Sequence, residues 1–328
     1  MAKKGTIKKI IKYFSLYLFG IGLFSIMLFP LNDLGDMVSS KIAQATNKKV
    51  FVFFERLSLS LIPSPGLAVE DVTIEGQSIP KIEARAASFS PSVLDLLKLK
   101  AGGHLNIQGL FGSDFSSSFT LDQPDAETGE TAHDIAFEIE GLNLKEIAPL
   151  LPVPMTVKGT INGEGEFIID QSFTTQPEGS FEIASGNSVL FESLSIPQAS
   201  LVFSDMEFSK ILIKGKISEG EIKLDEFVLG SPNNDLFVQA KGGIGVEFAA
   251  GRGRGAGVRP LVRRFNLMVK LTRSNRLQQK DAFIASSLDL LFDNSKAKII
   301  PSGTGKSYQF RVQGVGLRQT RLSPLPSF

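Results

Sequence analysis

Cysteine is absent from all 328 residues, so disulfides, zinc–thiolate sites and cysteine nucleophiles are excluded at once. A domain built this way folds on core burial alone, which suits a bacterial periplasmic protein. Tryptophan is absent too, and histidine occurs only at His104 and His133. Neither has a second His or Cys at metal-ligand spacing, so no metal site is expected. One histidine is read at a strand start and the other in a polar loop. The net charge of +1 leaves no bulk attraction for nucleic acid or for a strongly acidic partner.

Catalytic motifs are missing as well. There is no Gly-x-Ser-x-Gly elbow, and Ser295 and Lys298 have Ser-x-x-Lys spacing within a charged turn. Ser302–Ser307 ends like a phosphate loop, but the motif's first glycine would fall on Ile300 and no helix follows. A turn is expected there. Glu138/Glu140 and Glu164/Glu166 have the spacing of outward strand positions, which solvated strand surfaces explain. No catalytic, cofactor-binding or metal-binding residue is therefore assigned, and the reading is non-enzymatic with no cofactor.

What is present begins with an uncharged run, Tyr13 to Phe29, closed by Pro30. With Ile10 and Ile11 it reaches about 20 residues, enough to span a hydrocarbon core of ~30 Å. Lys3, Lys4, Lys8, Lys9 and Lys12 precede it, and Asp33 and Asp36 follow. The positive-inside bias keeps residues 1–12 cytoplasmic and exports the rest. A cleaved signal peptide would have a shorter apolar region and a small-x-small site close behind, whereas the nearest Ala-x-Ala is Ala43-Gln44-Ala45. The expectation is an uncleaved transmembrane anchor over 13–30 in the inner membrane. A juxtamembrane helix over 31–48 follows, with Leu31, Leu34, Val38 and Ile42 on one side.

Residues 49–328 read as one β-rich periplasmic domain. Phenylalanine (26) and glycine (31) favour sheet over bundle, and apolar residues recur with period two. Strands are expected over Lys49–Ile62, Leu67–Glu75, Ile79–Phe89, His104–Leu110 and around Ile135–Ile139. From Met155 to Val238 short strands follow one another, with turns at Asn162-Gly163, Pro177–Gly179, Ser185–Asn187, Glu219-Gly220 and Ser231–Asn234. No long crossover helices intervene, which argues for an antiparallel meander. Ser90-Pro91 reads as the start of a short helix carrying Val93, Leu94, Leu96, Leu97 and Leu99. A second helix is expected over Asp281–Phe292, with Phe283, Ile284, Leu288, Leu291 and Phe292 on one side.

The strands share one apolar face. Either a second layer closes it as an ordinary core, or a curved sheet leaves its concave apolar face partly open to acyl chains or a partner's strand. Phe137, Phe167, Phe181 and Ile213 are the candidate groove residues. The Gly/Arg loop at 251–259 is a basic segment that would suit phosphate headgroups if it lies near a membrane.

The segments Pro63-Ser-Pro-Gly-Leu-Ala-Val-Glu-Asp-Val-Thr-Ile74, Ile79-Pro-Lys-Ile-Glu-Ala84 and Ser92-Val-Leu-Asp-Leu-Leu97, with the glycine-rich course from Gly215 to Gly243, resemble the AsmA-like proteins. Within that group the chain is more closely similar to type II secretion system protein N in its AsmA-related form. The resemblance covers most of the chain, but not the arginine-rich stretch 252–264. It implies a non-enzymatic accessory of a type II secretion assembly, with other secretion-system proteins as partners. As the alternative, AsmA-like relatives also imply phospholipid binding or transfer between the inner and outer membranes.

Overall fold

The computed structural model describes residues 13, 14, 17, 31–46, 48–60, 65–76, 79–122, 132–150, 155–170, 175–196, 201–250, 258–294, 297–302, 305–315 and 319–324. Of the expected anchor only Tyr13, Phe14 and Tyr17 fall within this set, and they are helical and exposed. The rest of the run, the five topology lysines and the Gly/Arg connection 251–257 lie outside the described residues. Among the described residues no helix is long and apolar enough to cross a membrane.

The period-two segments form strands β1 (Val50–Phe53), β2 (Arg56–Ser60), β3 (Gly66–Gly76), β4 (Ile79–Pro91), β5 (Ala101–Leu110), β6 (Ser113–Leu121), β7 (Ala132–Asn143), β8 (Met155–Lys158), β9 (Thr160–Asp170) and β10 (Glu178–Ser185). They continue as β11 (Val189–Ile196), β12 (Leu201–Phe208), β13 (Ile211–Ser218), β14 (Glu221–Leu229), β15 (Leu236–Ala250), β16 (Val258–Ser274), β17 (Lys298–Ser302), β18 (Gly305–Val315) and β19 (Gln319–Pro324). Sixteen of them make one antiparallel sheet in the order β1-β3-β4-β5-β6-β7-β9-β10-β13-β14-β15-β16-β18-β17, with β2 also on β3 and β19 also on β18. The protein is mainly β, as its alternation predicts.

The meander is not unbroken. Strands β8, β11 and β12 leave the main sheet and form a small one of their own, ordered β12-β11-β8. The helices are α1 (Leu31–Ala45), α2 (Val93–Leu97), α3 (Leu144–Ile147), α4 (Asn275–Lys280) and α5 (Ala282–Asn294). All second-layer elements after α2 are inserted at one set of strand ends, in the connections 143–160, 185–211 and 274–305. The opposite ends, at 60–66, 91–101, 121–132, 170–178, 218–221 and 250–258, carry hairpin connections and α2.

Register puts the apolar residues of neighbouring strands on a single face. Phe115 opposes Ile139, Ile135 opposes Phe167, and Ile183 opposes Ile213. Farther on Ile213 opposes Phe227, and Val269 opposes Phe310. The second layer covers the C-terminal part of this face. Phe203, Met206 and Phe208 of β12 and Leu277, Ile284, Ala285, Leu288 and Phe292 of α4 and α5 enclose Leu236, Tyr308 and Phe310. A satellite core of Leu144, Ala148, Val157 and Val189 sits beside it. Each large aliphatic side chain buried this way contributes about 1.5–3 kcal/mol.

Several local expectations shift. Lys49–Ile62 is interrupted at Phe54-Glu55, giving β1 and β2 on the same neighbour β3. The helix cap moves from Ser90 to Ser92, because Pro91 still pairs with Gly103 as the end of β4. Asn162-Gly163 is no turn but lies inside β9, where Gly163 is paired on both sides and Asn162 with β10. His133 is in β7, not in a loop. Lys306 and Ser307 lie within β18, where two strands flank them, while the turn expected at Gly303-Thr304 falls outside the described residues. On α5, Ile284, Leu288 and Phe292 are buried as their i, i+4 spacing requires, but Phe283 points out.

Candidate functional site

Between β4 and β10 the apolar face has a construction of its own. Phe89, Leu105, Ile107, Phe115, Phe119, Ile135, Phe137, Ile139, Phe167, Ile169, Phe181 and Ile183 are all half-buried and none is fully enclosed. None belongs to either buried cluster. The rings are shielded from below instead. A Cβ placed on Gly165 would lie 2.8 Å from Phe137 Cε1 and 3.0 Å from Phe167 Cε2. One on Gly215 would lie 2.9 Å from Phe181 Cζ. The phenylalanine rings therefore sit over Gly165 and Gly215, covering the sites where a side chain is missing. Phe137 and Phe167 stack in parallel with centroids 5.8 Å apart, and Phe89 and Phe119 do so at 6.0 Å.

Phe137, Phe167, Phe181 and Ile213 thus occupy one face of the adjacent strands β7, β9, β10 and β13.

The hollow made by the described residues is on the other side. A trough of about 820 Å³ is lined mainly by polar residues, among them His104, Asn106, Glu138, Glu164, Glu182 and Lys214, with the predicted groove residues Phe137 and Phe181 also in its lining. A second hollow of about 580 Å³ continues it past Thr120, Asp134 and Glu178. These polar residues are the alternates of the apolar ones, so the concavity expected for the apolar side is found mainly on the polar side.

Along the trough the register sets Ser116, Glu138, Glu164, Glu182, Lys214 and Glu226 directly opposite one another on successive strands. Three carboxylates in a row repel one another, and one end is relieved by Lys214, whose Nζ lies 2.8 Å from Glu182 Oε2. That hydrogen bond with Glu182 raises the Lys214 pKa above its ordinary value. Among the described residues no group of three or more His, Cys, Asp or Glu is arranged to hold a metal ion. Placing a cation mid-row should therefore help: Glu164→Lys is expected to stabilise the fold by about 0.2–1 kcal/mol, read as a higher urea midpoint at low salt. A lower midpoint would mean that the carboxylate row is already neutralised by something it binds.

A third polar feature lies where α5 crosses the sheet. Arg273, at the end of β16 and on the apolar face, has a side chain 4% exposed. Its Nε and Nη2 donate to Asp289 Oδ1 and Oδ2 at 2.9 and 2.8 Å. Tyr308, fully buried, donates its hydroxyl to Asp289 Oδ1, and Lys306 Nζ donates to Oδ2 at 2.7 Å. Burial alone would push the Asp289 carboxyl up. The hydrogen bonds from Arg273, Lys306 and Tyr308 outweigh it and hold the group well below the usual carboxylate range. Burial, together with the bond to Asp289, pushes Tyr308 up to about 12. Every member has a partner, so this is a structural lock between α5 and β16–β18 rather than a poised acid or base.

No family model, no curated protein and no solved structure matches this chain.

Of the residues singled out in the sequence, His104 lines the polar trough between Ser90 and Ser118. His133 stands on the apolar face between Leu121 and Ile169. They are on opposite faces and form no site together. The Arg273–Asp289–Tyr308 lock was missed. Its one signal is an arginine at an inward position of an otherwise apolar alternation, Phe265, Leu267, Val269, Leu271, Arg273.

Proposed function

We propose that the chain is a single-pass protein of the bacterial inner membrane whose exported β domain receives acyl chains of phospholipid on its uncovered apolar face. One observation carries this reading: a continuous apolar face from β4 to β10 whose side chains are only half-buried and belong to neither buried cluster. Contiguous apolar surface left partly open in this way marks interaction sites. Rings over glycine give the face few projecting side chains, a surface along which an extended alkyl chain can lie. The run at 13–29 and the lysines before it support the anchor and its orientation. The resemblance to AsmA-like proteins points the same way, and no residue is assigned a catalytic role.

The resemblance to type II secretion protein N supplies a second occupant for the same face, a strand or loop of another secretion component. One experiment separates the two. In the full chain, in bacterial membranes, p-benzoylphenylalanine replaces Phe137 or Phe167, and Ser116 as a control on the polar face. After irradiation, adducts are identified by mass spectrometry. Phospholipid adducts at 137 and 167 but not at 116 are the expected result. A protein adduct at the same two positions would give the face to a secretion partner instead. Equal labelling at 116 would remove the apolar face as the site.

A further inference from the structure

Among the described residues, the most outward-facing leucines of the sheet domain are gathered in one connection. Leu94, Leu97 and Leu99 are 70%, 77% and 82% exposed, Val93 and Leu96 are exposed as well, and no residue of α2 is buried. The connection joins two adjacent antiparallel strands, which a plain hairpin turn could do. The fold holds it with its polar side inward. Ser92 Oγ accepts from Asp95 N at 3.3 Å, Lys100 N donates to Asp95 O at 2.8 Å, and Thr120 Oγ1 reaches Asp95 Oδ2 at 3.5 Å. Asp95 is the one side chain from 93 to 99 that is not exposed. The usual amphipathic arrangement is inverted, with the carboxylate on the sheet and the leucines toward the outside. Leu99 even adopts a positive φ of 58°, a conformation costly for a leucine, to complete the turn. Exposed Lys98 stands among the leucines.

The position of α1 says what lies in front of them. A Cβ on Gly35 would be 2.9 Å from the Phe54 ring, while Thr46 at the other end of α1 bonds the Val50 carbonyl at 3.1 Å. Helix α1 therefore runs antiparallel to β1 and β2, and its N-terminus points to the strand ends where β2 meets β3 and β4 enters α2. The apolar run 13–29 is joined to that N-terminus. Sheet twist of roughly 20° per strand turns later strand ends away, so the shared direction holds for the first strands.

We propose that α2 is a membrane-docking element: Leu94, Leu96, Leu97 and Leu99 enter the headgroup–acyl boundary of an anionic bilayer, with Lys98 at the lipid phosphates. Leucines beside lysine are the composition of an interfacial insertion segment, and lysine adds attraction to anionic lipid. The consequence is a β domain held with its first strand ends against the bilayer. The inference rests on the reading that residues 13–29 span that same bilayer.

The absence of cysteine makes the test clean. Leu97→Cys, Tyr17→Cys and Asn233→Cys, the last at the opposite strand ends, are each labelled with an environment-sensitive NBD fluorophore in the full chain. The proteins are reconstituted in vesicles of phosphatidylethanolamine and phosphatidylglycerol, with and without spin-labelled lipid. Labels at 97 and 17 are expected to emit at shorter wavelength and be quenched by the spin label, while the label at 233 behaves as in water. Lys98→Glu is expected to reduce the quenching at 97 and leave that at 17 unchanged. A label at 97 that stays water-like while the one at 17 is quenched overturns the docking and leaves the anchor. A label at 17 that stays water-like overturns the anchor, whatever is seen at 97. Because Leu97 touches no core, its substitution leaves the circular dichroism spectrum unchanged, and a changed spectrum would itself overturn the outward placement of α2.

Discussion

Replacing Asp289 by alanine is expected to cost about 3–5 kcal/mol of folding stability, measured by urea unfolding at neutral pH. The size follows from what is left behind. Arg273 is enclosed by the sheet and α5 and draws both of its short charge-assisted bonds from this carboxylate. Without it the guanidinium is a buried cation facing the Tyr308 hydroxyl and the Lys306 ammonium. Removing both charges, with Arg273→Met and Asp289→Leu together, is expected to cost less than Asp289→Ala alone, since the desolvation penalty disappears with the pair. A single-variant cost below about 1 kcal/mol, the range of exposed ion pairs, would show that water reaches the lock.

The lock also predicts the pH profile. The Asp289 pKa is depressed on folding, so its contribution is complete above the ordinary carboxylate range and is lost as pH falls toward the depressed folded value. The Tyr308 pKa is raised from 10.0 to about 12, so its contribution is complete below pH 10 and is lost as pH rises through 12. The Asp289→Ala variant should show a flatter acid limb than the parent protein.

Gly179→Val is expected to destabilise by the upper part of the ~1–3 kcal/mol range of overpacked cores, or more, whereas Gly163→Ala is expected to be neutral or to stabilise by about 0.5 kcal/mol. Both glycines are in the middle of the sheet and on its apolar face. They differ in what is above them. A Cβ at Gly179 would be 2.2 Å from the Glu166 carbonyl oxygen and 2.6 Å from Phe167 Cδ1, so backbone must move. At Gly163 the nearest atoms are 3.8 Å away, an ordinary contact, and alanine merely removes glycine's extra freedom in the unfolded chain. Urea midpoints of the two variants test whether phenylalanine rings lie on the sheet as described. Equal effects would mean that the Glu166 carbonyl and the Phe167 ring both yield at Gly179, and the close ring–glycine packing would be lost with them.

Much of this was legible in the chain before any coordinate. Alternation is a local property of extended backbone, so strands such as Ile135–Ile139 and Phe265–Leu271 could be read from their own side chains. The helices at Leu31–Ala45 and around Asp281–Phe292 followed from apolar spacing of three and four. That Phe137, Phe167, Phe181 and Ile213 share a face followed from the same period. The sequence also determined what the protein lacks, namely thiol chemistry, paired histidines and an uninterrupted phosphate-loop motif.

Only the tertiary structure decided the rest, because it turned on which strands pair and how the whole sheet bends. Strands β8, β11 and β12 carry the same alternation as their neighbours, so nothing local marks them as members of another sheet. Arg273 and Asp289 meet through the packing of α5 across β16, which depends on the position of every intervening turn. The hollow fell on the polar face because curvature is the sum of twists and bulges over many strands, a property no single segment contains. Helix α2 turned its leucines outward because the Asp95 carboxylate found a partner in Thr120 on the sheet, and a pattern of apolar spacing defines a face without saying which way that face will point.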